Sequence, residues 1–227
     1  MSAADRLYLY EEITLLALHD ERGTVTASFA ESVIAGAILA DLLLEKRIEV
    51  DDSKRQDVRF KDTRALGDPL LDESLQRMVA AKKLAPLAHW LTRLAVRTLP
   101  GEAARQLCNR GILHAADETV LLVFKREVYP EVDPVPEQEI LERLHSAVFG
   151  DERPLDGRTI ALVSLAHAAG LLAATFGQRN VDARKDRVEQ IVSGELAGAA
   201  TREVIQACQA AVVLAILAPE FLPMTNK

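Results

Sequence analysis

The stretch Ala30–Glu45 sets the terms on which this chain can fold. It reads AESVIAGAILADLLLE, and from Val33 to Leu44 nearly every residue is Ala, Leu, Ile or Val. A helix that is apolar around its circumference has no face for water, so it must be buried on most sides. It cannot answer this by spanning a bilayer, because that takes roughly 18–20 apolar residues. No apolar run in the chain is that long, and the longest uninterrupted candidate is Ala210–Ala218. The opening MSAADRLYLYEE has no basic-then-apolar signal pattern either. The expectation is a cytoplasmic chain whose membrane contact, where it has any, is peripheral, on the cytoplasmic face.

Other segments read as helices around this one. Leu7–Leu18 is amphipathic, with Leu7, Tyr10, Leu15 and Leu18 on a broad apolar face and Glu11 and Glu12 outside it. Gly23 is placed to cap its C-terminus. Leu70–Ala81, Pro86–Arg97, Glu102–Asn109, Glu137–Phe149, Gly157–Phe176, Asp182–Ser193 and Ala200–Leu217 complete the helical set, with Pro100 in a first turn that tolerates it. Two helix-plus-hairpin units interrupt them. In the first, Arg47–Val50 and Asp57–Phe60 flank a turn at Asp51–Gln56. In the second, Gly111–His114 and Thr119–Phe124 flank a turn at Ala115–Glu118. Tyr129–Pro136 is an extended, proline-rich connector. No linker or low-complexity stretch divides the chain, so the expected fold class is mainly α: a single globular helical domain over 1–227, core about 7–217, with two short β-hairpins.

The formal net charge is −7 over 227 residues, which disfavours a general nucleic-acid binder. The two cysteines, Cys108 and Cys208, are not in a CxxC pair and read as buried thiols of a reducing compartment. The five histidines have neither HxxxH nor HExxH spacing, and no GxSxG, Walker loop or glycine fingerprint is present. His167 lies on a nearly all-apolar helix and reads as a core histidine. No enzyme, cofactor or metal is expected. Within Arg77–Arg110, however, seven cations (Arg77, Lys82, Lys83, Arg93, Arg97, Arg105, Arg110) face one acid, Glu102. That is +6 inside a chain of −7, leaving −13 elsewhere. Such segregation suits local anion recognition as well as it suits solvated helix faces.

Four strings then carry a resemblance: Leu7–Val25 (LYLYEEITLLALHDERGTV), Gly36–Val50 (GAILADLLLEKRIEV), Gly67–Leu75 (GDPLLDESL) and Ala161–Ala168 (ALVSLAHA). In this order they resemble the Golgi phosphoprotein 3 family of peripheral phosphoinositide-binding proteins. The family's long polar N-terminal extension is missing from this sequence, as expected of a bacterial-type member. In the third string, Asp68 before Pro69 fits a helix N-cap, with Asp72 and Glu73 in the first turn.

The resemblance implies a peripheral adaptor with a phosphatidylinositol 4-phosphate pocket or a site for another anionic lipid headgroup. Its arginine pair falls at Arg97 and Pro100, and its tryptophan and second-helix arginine fall near Thr26 and Ala35, with Phe29 the nearest aromatic. Arg93 and Arg105, on neighbouring turns, are the candidates to join Arg97 as headgroup ligands. Trp90 matches a different tryptophan, in the core. The resemblance also implies a projecting hairpin, Ile112–Phe124, for self-association and membrane contact. Val120, Leu121, Leu122, Val123 and Phe124 form its apolar run, and Asp117 and Glu118 its expected tip. Acids at the tip favour homo-oligomer formation over deep insertion. The alternative reading is a cytosolic self-associating scaffold without lipid specificity. A winged-helix nucleic-acid binder has only the helix–hairpin echo behind it, against an acidic chain.

Overall fold

A computed structural model describes residues 6–18, 30–51, 54–120, 124–151 and 153–197. Helix α2 (Ala30–Leu44) lies at its centre, buried at every position from Val33 to Leu43. Its cover comes from α1 (Leu9–Ala17), α3 (Pro69–Ala80), α4 (Leu87–Leu94), α5 (Leu99–Asn109) and α7 (Gly157–Ala168), all packed against it. Each fully buried Ile or Leu on this helix contributes about 1.5–3 kcal/mol of transfer free energy. Helices α6 (Val135–Phe149), α8 (Leu171–Phe176), α9 (Gln178–Asp182) and α10 (Lys185–Val192) complete the helical set among the described residues. One contiguous apolar cluster runs through these elements from Leu7 to Ala197. The fold is mainly α, with two antiparallel two-stranded sheets.

Several elements form for the local reasons read in the sequence. Asp68 caps α3 by accepting from Leu71 N–H at 2.8 Å, and Pro69 opens the helix. Asp72 reaches back to accept from the backbone N–H groups of Leu66 and Gly67. The first hairpin pairs β1 (Ile48–Val50) with β2 (Val58–Phe60). Elsewhere the structure differs. The expected helix Gly157–Phe176 is two helices, α7 and α8, because Gly170 takes a left-handed φ of 72°. The apolar run continues across that glycine, so hydrophobicity alone does not reveal the break. Gly177, at φ 83°, similarly separates α8 from α9. Two arginines then close the C-terminus of α6. Arg184 donates to the carbonyls of Val148, Phe149 and Gly150, and Arg187 to that of Ala147. Cys108 is half-buried. Cys208, Gly23 and the Ala200–Leu217 segment lie outside the described residues.

The largest correction concerns Glu11 and Glu12. Expected outside the apolar face of α1, they are 0% and 2% exposed. Arginines from three later helices meet them there. Arg110 of the α5 C-cap pairs with Glu11 at 2.8 Å. Arg143 of α6 and Arg158 of α7 pair with Glu12 at 2.7 and 3.0 Å. Asp41, the one acid inside the apolar stretch of α2, accepts from the backbone N–H groups of Leu9 and Tyr10 at 2.9 and 3.1 Å. It thereby caps α1 from a neighbouring helix, filling donors that a helix start leaves unpaired. Arg158 closes the cluster, donating to Asp41, Glu12 and the Leu7 carbonyl. Three carboxylates and three guanidinium groups thus balance where α1, α2, α5, α6 and α7 meet.

Removing one member leaves buried charge unpaired, which costs about 3–5 kcal/mol. Arg158→Met should therefore lower the stability measured by urea unfolding by that amount, far more than Arg64→Met at an exposed pair. Burial also pushes the Glu11 carboxyl up to about 7, against the pull of the Tyr8 N–H and Arg110. The folded state therefore favours protonated Glu11 more than the unfolded chain does, whose ordinary value is 4.5. Its contribution is fully present below that value and is lost as pH rises through about 7. Unfolding titrations across this range should show wild type losing more stability towards alkaline pH than Glu11→Gln. Equal slopes would contradict it.

Candidate functional site

The seven cations of the basic segment do not act as one group. Arg77 pairs with Glu73 at 2.6 Å, one turn away on α3. Arg105 on α5 pairs with Glu127 at 2.8 Å, and Arg110 is committed to Glu11. Lys82, Lys83, Arg93 and Arg97 remain, exposed and without an acidic partner among the described residues. They occupy one continuous stretch, 82–97, that contains no acid.

The fold holds this stretch firmly while turning its cations outward. The α3–α4 link is pinned to the first hairpin: Ala85 C=O accepts from Val58 N–H at 2.9 Å, and Leu87 N–H donates to Gln56 C=O at 3.1 Å. Lys82, Lys83 and Leu84 protrude just before the pinned residues. On α4, Leu87, Trp90, Leu91 and Leu94 are buried at helical spacing, leaving Thr92 and Arg93 exposed and His89 half-exposed on the other side. Trp90 is in the core as expected, 1% exposed. A tight turn, Leu99 N–H to Val96 C=O, then joins α4 to α5 and leaves Val96, Arg97 and Thr98 exposed. Leu84 and Val96 are two of the four large apolar side chains exposed among the described residues. The basic stretch therefore presents two apolar residues together with its cations.

Of the positions implied by the family pocket, Ala35 is fully buried on α2 and Pro100 is buried in the first turn of α5. Neither can present a side chain to a headgroup. Thr26 and Phe29 lie outside the described residues. Arg93 and Arg97 sit on the exposed stretch, whereas Arg105 is held by Glu127 on the second hairpin. Sequence reasoning counted Lys82 and Lys83 in the basic segment without choosing them as site residues, and overlooked His89. The i,i+4 spacing of His89 and Arg93 was the available signal.

The second hairpin is shifted from its expected register. Strand β3 (Ala116–Val120) pairs with β4 (Phe124–Val128), from Ala116↔Val128 to Val120↔Phe124. The same register continues outward to the Leu113↔Glu131 bridge. Asp117 and Glu118 are therefore strand residues opposite Glu127 and Arg126, and the expected turn at Ala115–Glu118 is not one. The pairing ends at Val120 and Phe124, and Leu121, Leu122 and Val123 lie outside the described residues. The apolar run read as one strand thus has its two ends on different strands, Val120 in β3 and Phe124 in β4.

His167 is also corrected. It is exposed in the last turn of α7, because the helix stops beside Gly170. With Asp182, Lys185 and Glu189 it lines a separate shallow groove among α7, α9 and α10. Among the described residues no helix is long and apolar enough to cross a membrane, and no three His, Cys, Asp or Glu side chains gather as a metal-binding group.

Lys82 carries a further mark. It follows α3 with a left-handed φ of 48°, where a residue with a Cβ is strained by roughly 1–2 kcal/mol. Lys82→Gly should raise the unfolding free energy by about 1 kcal/mol, read as a higher denaturant midpoint with an unchanged slope. A lower midpoint would show that the lysine supports the fold.

Against known families, residues 9–208 match the model for Golgi phosphoprotein 3 (GPP34).

Proposed function

The chain belongs to the Golgi phosphoprotein 3 family, and from that premise we propose that it is a peripheral membrane adaptor recognising an anionic lipid headgroup, phosphatidylinositol 4-phosphate by family likeness. The recognition face in this reading is the stretch 82–97. One observation carries it: the cations of the basic segment separate into inward or paired arginines and four unpaired ones on a single acid-free stretch. Arg93 and Arg97 supply forked guanidinium donors suited to phosphate oxygens. Lys82 and Lys83 add positive field, each worth about 1 kcal/mol near an anionic surface. Exposed Leu84 and Val96 provide apolar contacts for the boundary between headgroups and acyl chains. Arg105 lies outside this stretch, on α5, and because Glu127 already occupies its guanidinium it adds little net field and is not a headgroup ligand in this reading.

The second hairpin supports a second reading, a self-associating scaffold without lipid specificity. Between the last pair, Val120 and Phe124, the sequence runs through three apolar residues, Leu121, Leu122 and Val123. Strongly apolar hairpin ends seek cover, either from another copy of the chain or from a membrane.

Flotation with phosphatidylcholine vesicles, alone or carrying phosphatidylinositol 4-phosphate or phosphatidylserine, separates the two. Wild type should float with the phosphoinositide vesicles, and Arg93→Glu with Arg97→Glu should weaken that binding by at least about tenfold. If neither protein floats with any vesicle, the lipid reading is wrong. A discrete oligomer that dissociates in Leu122→Asp would then support the scaffold.

A further inference from the structure

Near the middle of the acid-free stretch stands a titratable group that simple phosphate recognition does not require. His89 precedes Arg93 by four residues on α4, so the two share one side of the helix. The imidazole is half-exposed and lies edge-on to Trp90, with ring centroids 5.3 Å apart and planes at 80°. Trp90 is itself fixed in the core, so His89 is held against a rigid neighbour at the surface.

The charges around it have one sign. Partial burial, and after it the charges of Lys83 and Arg93, hold the ring below the ordinary histidine value. Among the described residues, no carboxylate acts on the ring to oppose them. On α2, Glu31 lies in the first turn, and Asp41 is fully buried with Arg158 and the α1 backbone. Beside the hairpin, Asp57 is ion-paired with Arg55 at 3.7 Å. Beyond α4, the link to α5 adds another cation, Arg97. His89 in the free protein therefore stands beside two cations, and burial and that field both disfavour its charged form.

A phosphate brought against Lys83 and Arg93 reverses that field. The cations become partnered, negative charge lies beside the ring, and the protonated form becomes the favoured one. We propose that anion binding on this face is proton-coupled through His89, whose imidazole takes up a proton as the headgroup docks and becomes a further charged donor to it. This rests on the reading that residues 82–97 face an anionic headgroup, and it adds how that binding would be regulated: affinity rises as pH falls through the histidine range. A phosphomonoester titrates in the opposite sense, losing negative charge below about pH 6. The contribution of His89 must therefore be read as a ratio between variants.

Co-sedimentation with vesicles carrying phosphatidylinositol 4-phosphate, between about pH 8 and about pH 6, would measure it for wild type, His89→Gln and His89→Lys. A parallel arm with inorganic phosphate, followed through the His89 ring signals by NMR, distinguishes a lipid surface from free phosphate. The wild-type to His89→Gln affinity ratio should climb by up to about tenfold as pH falls, matching a ring shift of about one unit on binding. His89→Lys, a permanent cation, should bind at least as tightly as wild type at the alkaline end, and its affinity relative to His89→Gln should stay constant. Matching unfolding midpoints would show that the variants are folded. A wild-type to His89→Gln ratio that stays constant while both proteins bind overturns the coupling and leaves the lipid reading intact. Wild type failing to bind either the vesicles or inorganic phosphate at any pH removes the lipid reading and the coupling with it. Binding of inorganic phosphate with the ring shift but no vesicle retention would keep the coupling and remove the membrane.

Discussion

Arg158 is the residue on which the rest of the arrangement depends. Its guanidinium, 8% exposed, meets Glu12 and the Leu7 carbonyl of the α1 segment and Asp41 of α2. Asp41 in turn holds the first backbone donors of α1. A helix start buried in apolar surroundings would carry unsatisfied N–H groups, each costing roughly 1–3 kcal/mol. The apolar α2 demands burial, α1 is its principal cover, and α1 can be buried only because a carboxylate inside α2 caps it. That carboxylate is tolerable only because Arg158 neutralises it. Replacing a buried ion pair by apolar residues of similar volume is often neutral or stabilising, whereas removing one partner is costly. Here the cluster sets how α1, α2 and α7 meet.

The same cluster shapes the surface. Arg110 and Arg143 join it from α5 and α6, so one of the seven cations of the basic segment is drawn inward. Arg77 and Arg105 are matched by acids on the surface. The unopposed positive field is thus confined to the links and exposed side of α4, where the apolar side of that helix anchors it to the core. The face is rigid because the first hairpin pins the α3–α4 link and Trp90 anchors α4. It is available because none of the described acids pairs with its cations.

Much of this was legible from local patterns. The central helix, the capped start of α3, the first hairpin and the basic segment all follow from spacing, propensity or charge within a dozen residues. The failures have physical causes of another kind. Glu11 and Glu12 looked like solvent-facing acids because their partners are about a hundred to a hundred and fifty residues away. The second hairpin was misplaced because the apolar run Val120–Phe124 has the composition of a strand, and only the cross-strand pairing from Ala116↔Val128 to Val120↔Phe124 sets the register. His167 was read as core because the break at Gly170 is hidden inside a continuous apolar run. Arg105 looked as free as Arg97 because Glu127, which occupies it, comes from the far arm of that hairpin.

The sequence by itself determined that this chain is mainly helical, that α2 is buried, which family it resembles, and that positive charge concentrates between Arg77 and Arg110. Each is a property of residues near one another along the chain, where periodicity and composition act directly. Tertiary structure alone decided which charges face inward, which arginines have partners, and where the second hairpin turns. Those depend on which distant side chains meet. A charged group's energy is set by the dielectric and the partners around it, and a linear sequence specifies neither.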